Sequence, residues 1–452
     1  MSLPPGPTQS VIFSTWHWMR RPFEFFEDCE ALYGDTFTLR LFGLPPLAVY
    51  SNPEAVKEIF SDPDDTLHAG RFNLTLRAFL GEHSVLMLDG KEHLRQRRLL
   101  LPPFHGERMQ AYGQVMLDVT DESIDRWPMN EVFPIHGSMQ TITLRVILRT
   151  ILGIEEPKRL AEMSAVIHGV LELAAWPPLM LPAMQIDLGP WSPWGRYLRR
   201  AARMDELLRS EIRQRRRGGH DGRNDVLSLL IDARDEQGEP MTEDELVDEL
   251  VTLLVAGHET TATGLAWALR WILDTPAVEH RLLDELDRAA REGPLTPERI
   301  GRLELLDAVV REALRLQPVI PIVGRVLEKS ARVGGFDLPA GTGVVCSIYL
   351  AQRRPSVYPD PRRFDPDRFL GKKFTPNEFF PFGGGVRRCI GMAFALYEMK
   401  MVLARVLTRA TLRLDRRDPI KVVRRAITLT PSGGLRVRLE SRRDRSAAAP
   451  AA

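Results

Sequence analysis

The chain has 452 residues, 44% hydrophobic and 27% charged, and its 61 Lys and Arg against 60 Asp and Glu leave a formal net charge of +1. That balance gives no ground for nucleic acid or a bulk anionic surface as the main partner. Three cysteines far apart, Cys29, Cys346 and Cys389, exclude a disulfide framework, fit a reducing compartment and lack zinc-ligand spacing. At the N-terminus "MSLPPGP" has no apolar signal core, and no run of about 18 apolar residues predicts a membrane span, so a cytoplasmic location is expected. "VIFSTWHW" (11–18) is too short to span but long enough to touch a surface. Up to Pro63 turns mix with strand-like runs, "DTFTLRL" and "PLAVYS". From Pro53 to Leu316 the periodicity is helical, broken by "RRRGGHDGRND" (215–225), which reads as a solvated polar linker. Short strands and turns follow from Pro318 to Leu350, then a Pro-rich aromatic meander, and helix resumes at Cys389. The expected fold class is mainly α with small β-sheets, one domain over 1–440, and a disordered tail over 441–452.

Four stretches carry candidate chemistry. "GKEHLRQRRLLLPPFHGERM" (90–109) puts His93 and Arg97 at i,i+4, a face able to hold carboxylates or phosphates, or simply a solvated basic face. Thr242 and Glu245 form a capping box that opens a helix of about 32 residues, roughly 48 Å long. At its middle "AGHETT" (256–261) sets Glu259 beside Thr260, a plausible proton-delivery pair, in a place where Gly257 and the threonines loosen the hydrogen-bond ladder. The bland alternative is a solvated Glu259 with threonines that only pack. His258 reads as a helix histidine near solvent or satisfied by a neighbour. In "VVREALRLQP" (309–318), Glu312 and Arg315 share a face at i,i+3, alone no more than a salt bridge, and Pro318 ends the helix.

The fourth stretch is "PFGGGVRRCIG" (381–391). Cys389 sits just before an apolar helical pattern, where the helix dipole, free N–H groups, Arg387 and Arg388 all favour thiolate. The glycines allow something flat to approach the main chain closely. A thiolate there is a nucleophile or a metal ligand; a buried apolar cysteine is the structural alternative.

Phe382, Gly385, Arg387, Cys389 and Gly391 match F-x-x-G-x-R-x-C-x-G at every specified position, and "AGHETT", "EALR" and "FDPDRF" precede them in order. On these motifs, over roughly residues 3–438, the chain resembles the cytochrome P450 family of haem-thiolate monooxygenases, with phrases similar to soluble cyanobacterial and myxobacterial members. The resemblance implies haem b between the long central helix and the helix after the Cys loop, with Cys389 as axial iron ligand. It implies Phe382, Gly383, Gly391 and Ala256 against the cofactor, and His93, Arg97, Arg325 and Arg387 at its propionates. Glu259 and Thr260 would pass protons towards O2. Glu312, Arg315 and Arg368 would form a structural triad, with Asp367 standing where the family usually has glutamate.

The resemblance further implies a lipophilic small-molecule substrate and electrons from a separate ferredoxin or flavodoxin with its NAD(P)H reductase, since no such module follows Arg438. That donor would dock near Arg95, Arg98 and Arg388. No nucleic acid, no transmembrane anchor and a monomer are expected. A fatty acid is the favoured substrate, its carboxylate held by Arg71 or Arg77; terpenoids, steroids, macrolides and a peroxide-driven haem-thiolate enzyme are the alternatives.

Overall fold

In the computed structural model, residues 2–62, 65–104, 108–218 and 223–444 are described. The central helix, Glu243–Asp274, is 32 residues long and opens on the expected capping box: the Glu245 N–H donates to Thr242 Oγ1 at 3.1 Å, and the Thr242 N–H to Glu245 Oε2 at 2.7 Å. Around it pack Ile135–Thr150, Glu304–Leu316 and Met392–Arg409, with Arg108–Ile124 against the last of these. Gly264 allows a close approach. A Cβ there would lie 3.3 Å from Met399 on the helix that follows Cys389, so the two helices meet nearly backbone to side chain.

A five-stranded sheet lies to one side in the order Thr36–Leu39, Leu47–Tyr50, Gly343–Ser347, Ile322–Leu327, Leu67–His68. The second and third strands run parallel and the other pairs antiparallel. Val132–Pro134, Arg436–Arg442 and Ala410–Leu414 form a smaller sheet.

Three local expectations change. The N-terminal segment holds two helices, Val11–Arg20 and Pro22–Tyr33, started by a Ser10 cap that accepts from the Phe13 N–H and by Pro22 at the first turn. The polar stretch from Arg215 is not a solvated linker at its ends. Arg215 is buried, bridging Asp225 at 2.6 Å and donating to the Leu152 carbonyl at 2.9 Å, because the helix Pro193–Gly218 carries it inward; residues 219–222 lie outside the described residues. Strand pairing continues past 440, with Ser441 opposite Thr411 and Arg442 opposite Ala410; residues 445–452 of the expected tail lie outside the described residues.

Candidate active site

The Cys389 loop is a single 3-10 turn, Gly385–Arg387, pinned by the Cys389 N–H donating to the Phe382 carbonyl at 3.0 Å. Its glycines divide the work. A Cβ at Gly384 or Gly385 would strike Phe60 of the helix Pro53–Ser61 at 2.1 or 2.2 Å, so protein fills that side of the loop. At Gly383 (φ 68°) the nearest atom to a Cβ is Val323 at 3.6 Å, and at Gly391 nothing lies within 4 Å. Only this second pair leaves room for a flat ligand.

Cys389 is accessible, yet protein surrounds it closely enough that burial is the largest influence on its thiol. Together these describe the floor of a hollow, not an outer surface. Burial pushes the thiol up, while the Gly391 N–H, Arg97 and Arg388 pull it down. The helix N-terminus therefore does not ionise Cys389 unaided, contrary to the expectation from position alone. A cation bound at sulfur would supply what the dipole lacks.

The central helix is buried along most of its length but exposes Ala256. Thr260, one turn on and on the same face, donates its hydroxyl to the Ala256 carbonyl at 2.5 Å. Glu259 points into a different environment. Gln140 Nε2 donates to it at 2.6 Å, Arg425 Nε stands 3.3 Å away and His136 Nε2 3.7 Å away. Burial nonetheless pushes its carboxyl up, against the pull of Arg425 and Gln140. His258 differs from expectation. It is buried with both ring nitrogens unpartnered among the described residues, and burial lowers it to about 3, keeping it neutral.

On the cysteine side, His93 is buried and lowered to about 3 by burial and by the nearby Arg387 and Arg97. Among the described residues the Arg97 guanidinium makes no hydrogen bond or ion pair, and Arg325, also buried, donates only to its neighbour's carbonyl at Gly324, 2.8 Å away. Arg387 is engaged by Asp89 and by the Val85 and Leu88 carbonyls. Asp89 also accepts from the Gly70 and Arg71 N–H groups, and composition gave no sign of this role beyond its place before the helix Gly90–Leu100.

Glu312 and Arg315 have fully buried side chains, bonded at 2.6 and 2.8 Å, with Arg368 Nε 3.5 Å from Glu312. Asp367 faces the other way, onto Arg281 at 2.6 Å, and takes no part in the Glu312–Arg315–Arg368 cluster. Of the other arginines, Arg71 is held by Glu328, Arg95 by Asp235 and Glu245, and Arg98 by Glu236. Arg95 is thus held by two carboxylates, whereas Arg71 and Arg98 each sit in a solvent-exposed pair. Arg388 is exposed.

The profile of the cytochrome P450 family matches residues 4–437. The chain is a cytochrome P450. Cytochrome P450 135B1 of Mycobacterium tuberculosis is 38% identical over 454 residues, covering all of this chain and 94% of the relative. Cytochrome P450 135A1 of the same organism is 36% identical, over 97% and 95% of the two chains. Among solved structures, retinoic acid-bound cyanobacterial CYP120A1 aligns with a TM-score of 0.83 and 26% identity over 97% of this chain and all of that one. The heme domain of cytochrome P450DA aligns at 0.84 and 25%, over 98% of each.

As a P450, the protein is a haem-thiolate monooxygenase, and its family's cofactor is haem b. The residues present fit that group. An accessible thiol lies on the floor of a hollow, Gly383 and Gly391 leave space beside it, and the Arg97 and Arg325 guanidinium groups, short of acceptors among the described residues, stand near the neutral His93. Buried guanidinium groups need anions, and a macrocycle bearing two carboxylates supplies them.

Proposed function

We propose that this P450 hydroxylates or epoxidises a fatty acid, using two electrons delivered by a separate ferredoxin or flavodoxin and its NAD(P)H reductase. Haem b, when bound, supplies the activation of O2 that puts one oxygen atom into the substrate and the other into water. Cys389 would hold its iron, with Phe382, Gly383, Gly391 and Ala256 lining the space for it. Arg97, His93 and Arg325 would hold the propionates, with Arg387 set beside them by Asp89. The donor would dock at the exposed Arg388.

Glu259 and Thr260 would deliver the protons. Burial raises the Glu259 carboxyl, easing its uptake of a proton, and its neighbours Gln140, His136 and Arg425 keep it positioned. Thr260 carries its hydroxyl on the accessible face, one helical turn from Ala256. Thr260→Ala is expected to retain haem but to lower product formed per electron consumed severalfold, the difference appearing as hydrogen peroxide. An unaltered ratio would remove Thr260 from the relay.

The observation that carries the substrate class is a cleft of about 430 Å³. Leu74, Ala78 and Met180 line it together with Arg77 and Glu82. Among the described residues Arg77 pairs only with Glu82, and both are exposed. Such a surface pair is worth less than about 1 kcal/mol, so a ligand carboxylate can replace Glu82. A second cleft, about 350 Å³ and lined by Trp127, Phe133 and Gly137, includes none of the candidate site residues. CYP120A1, solved with retinoic acid, lends weight to an isoprenoid acid as the second reading. Long-chain fatty acids should give a low-to-high-spin shift at about tenfold lower concentration than the matching alcohols. Arg77→Leu should erase that preference. A shift with steroids or macrolides and none with acids would reject the assignment.

A further inference from the structure

The first helix, Val11–Arg20, is amphipathic the wrong way round. It buries Ser14 and turns Ile12 (74% exposed), Phe13 and Trp16 (51%) outwards. In a helix that served only the core, those residues would face inwards. The exposed apolar surface does not stop at the helix. Thr15 Oγ1 accepts from the Phe42 N–H at 2.8 Å, which brings Phe42 (66% exposed) alongside. Arg424 stacks over Trp18 at 4.5 Å and donates to its carbonyl, tying in the Val422–Arg425 strand with exposed Val423 and Ile427 beside it. The next residue, Ala426, donates to the Ala175 carbonyl at 3.1 Å. Ala175 leads into 176–191, which ends on Trp191, 90% exposed. These links connect the exposed apolar residues of the first helix to the segment that ends at Trp191, and clustered exposure of this kind marks an interaction surface.

Its charge is one-sided. Residues 2–23 contain Arg20 and Arg21 and no Asp or Glu. Between Leu173 and Arg200 a single acid, Asp187, stands against Arg196, Arg199 and Arg200, and 421–427 holds Lys421, Arg424 and Arg425 without an acid. The near-neutral total of the chain conceals this segregation. A second copy is a poor occupant, because a two-fold interface would set this basic rim against itself. No described helix is long and apolar enough to cross a membrane. Aromatic and aliphatic side chains bordered by arginines suit the headgroup layer of an anionic bilayer instead.

We propose that this face seats the enzyme on the surface of an anionic lipid membrane. Ile12, Phe13, Trp16, Phe42 and Trp191 enter the headgroup layer, and Arg20, Arg21 and Arg196 meet the phosphates. The lipid-facing segment includes Met180, which also lines the 430 Å³ cleft, so a lipophilic compound leaving the bilayer would reach that cleft without crossing water.

The test is co-sedimentation of the haem-loaded full chain with vesicles of phosphatidylcholine alone, or with about one quarter phosphatidylglycerol. Binding is expected to the anionic vesicles, weakened but not abolished by added salt. Ile12→Ser with Trp16→Ser, and separately Trp191→Ser, should each weaken it about tenfold or more. The carbon monoxide spectrum of each variant should match the parent, showing that the fold survives. Absence of binding to either vesicle, or binding indifferent to both sets of substitutions, would overturn the proposal. So would concentration-dependent dimers that the same substitutions abolish, which would assign the face to a second copy.

Discussion

Cys389→Ser is expected to abolish the red-shifted Soret band of the reduced carbon monoxide complex and all monooxygenation. The loop that presents residue 389 is held by backbone contacts, the 389 N–H to the Phe382 carbonyl and the Arg388 N–H to the Gly385 carbonyl, neither of which serine disturbs. The substitution therefore removes sulfur and little else. The thiol's own environment raises it, so the protein alone does not maintain a thiolate there; bonding to a metal would. A serine hydroxyl is far harder to ionise and does not donate electron density as thiolate does. Turnover is expected to fall on the order of 10³-fold or more, equivalent to over about 4 kcal/mol of barrier. The thermal unfolding midpoint of the cofactor-free chain should hardly move. A retained red-shifted band would eliminate Cys389 as ligand, whereas a collapsed midpoint would show that the thiol packs the loop.

The parts of this site that were legible in the sequence are local ones. Thr242 and Glu245 are three residues apart, and their reciprocal capping follows from helix geometry. Glu312 and Arg315 are likewise one turn apart. What stayed hidden depends on tertiary contact. Glu259 takes Gln140 and His136 from a helix more than 100 residues earlier, and Arg425 from a strand far downstream. Arg387 meets Asp89 across nearly 300 residues. Gly384 and Gly385 read as room for a cofactor, but Phe60, remote in sequence, fills that room. Arginine partners were the hardest to read from sequence, for one physical reason. A long, always-charged side chain takes whichever carboxylate or carbonyl the fold brings near, as Arg71 takes Glu328 and Arg215 takes Asp225. The N-terminal helix escaped because its exposed face is the apolar one, so residues 11–18 read only as a short apolar run able to touch a surface.

Arg315→Leu should be the most destabilising of the single substitutions considered. The guanidinium gives two bonds to Glu312, and others to the carbonyls of Gln352 at 2.9 Å, Pro361 at 2.8 Å and Arg363 at 3.2 Å. It also lies over the Tyr358 ring at 4.9 Å. Leucine leaves three carbonyls short of a donor and a buried carboxylate with only Arg368 and the Asp365 N–H. Breaking a buried pair from one side costs about 3–5 kcal/mol, and the urea midpoint should fall accordingly. The deficit should depend on pH with a definite sign. Burial already pushes Glu312 up against the pull of Arg315, and removing Arg315 raises it further. In the variant the folded state thus binds a proton more tightly than the unfolded state. Its stability then rises as pH falls through that raised value. The gap to the parent should accordingly narrow as pH falls through that raised value. Glu312→Gln, which keeps an acceptor without the charge, should lose less and show no such narrowing. A pH-independent gap for Arg315→Leu would mean that the orphaned carbonyls, and not the unpaired carboxylate, account for the loss.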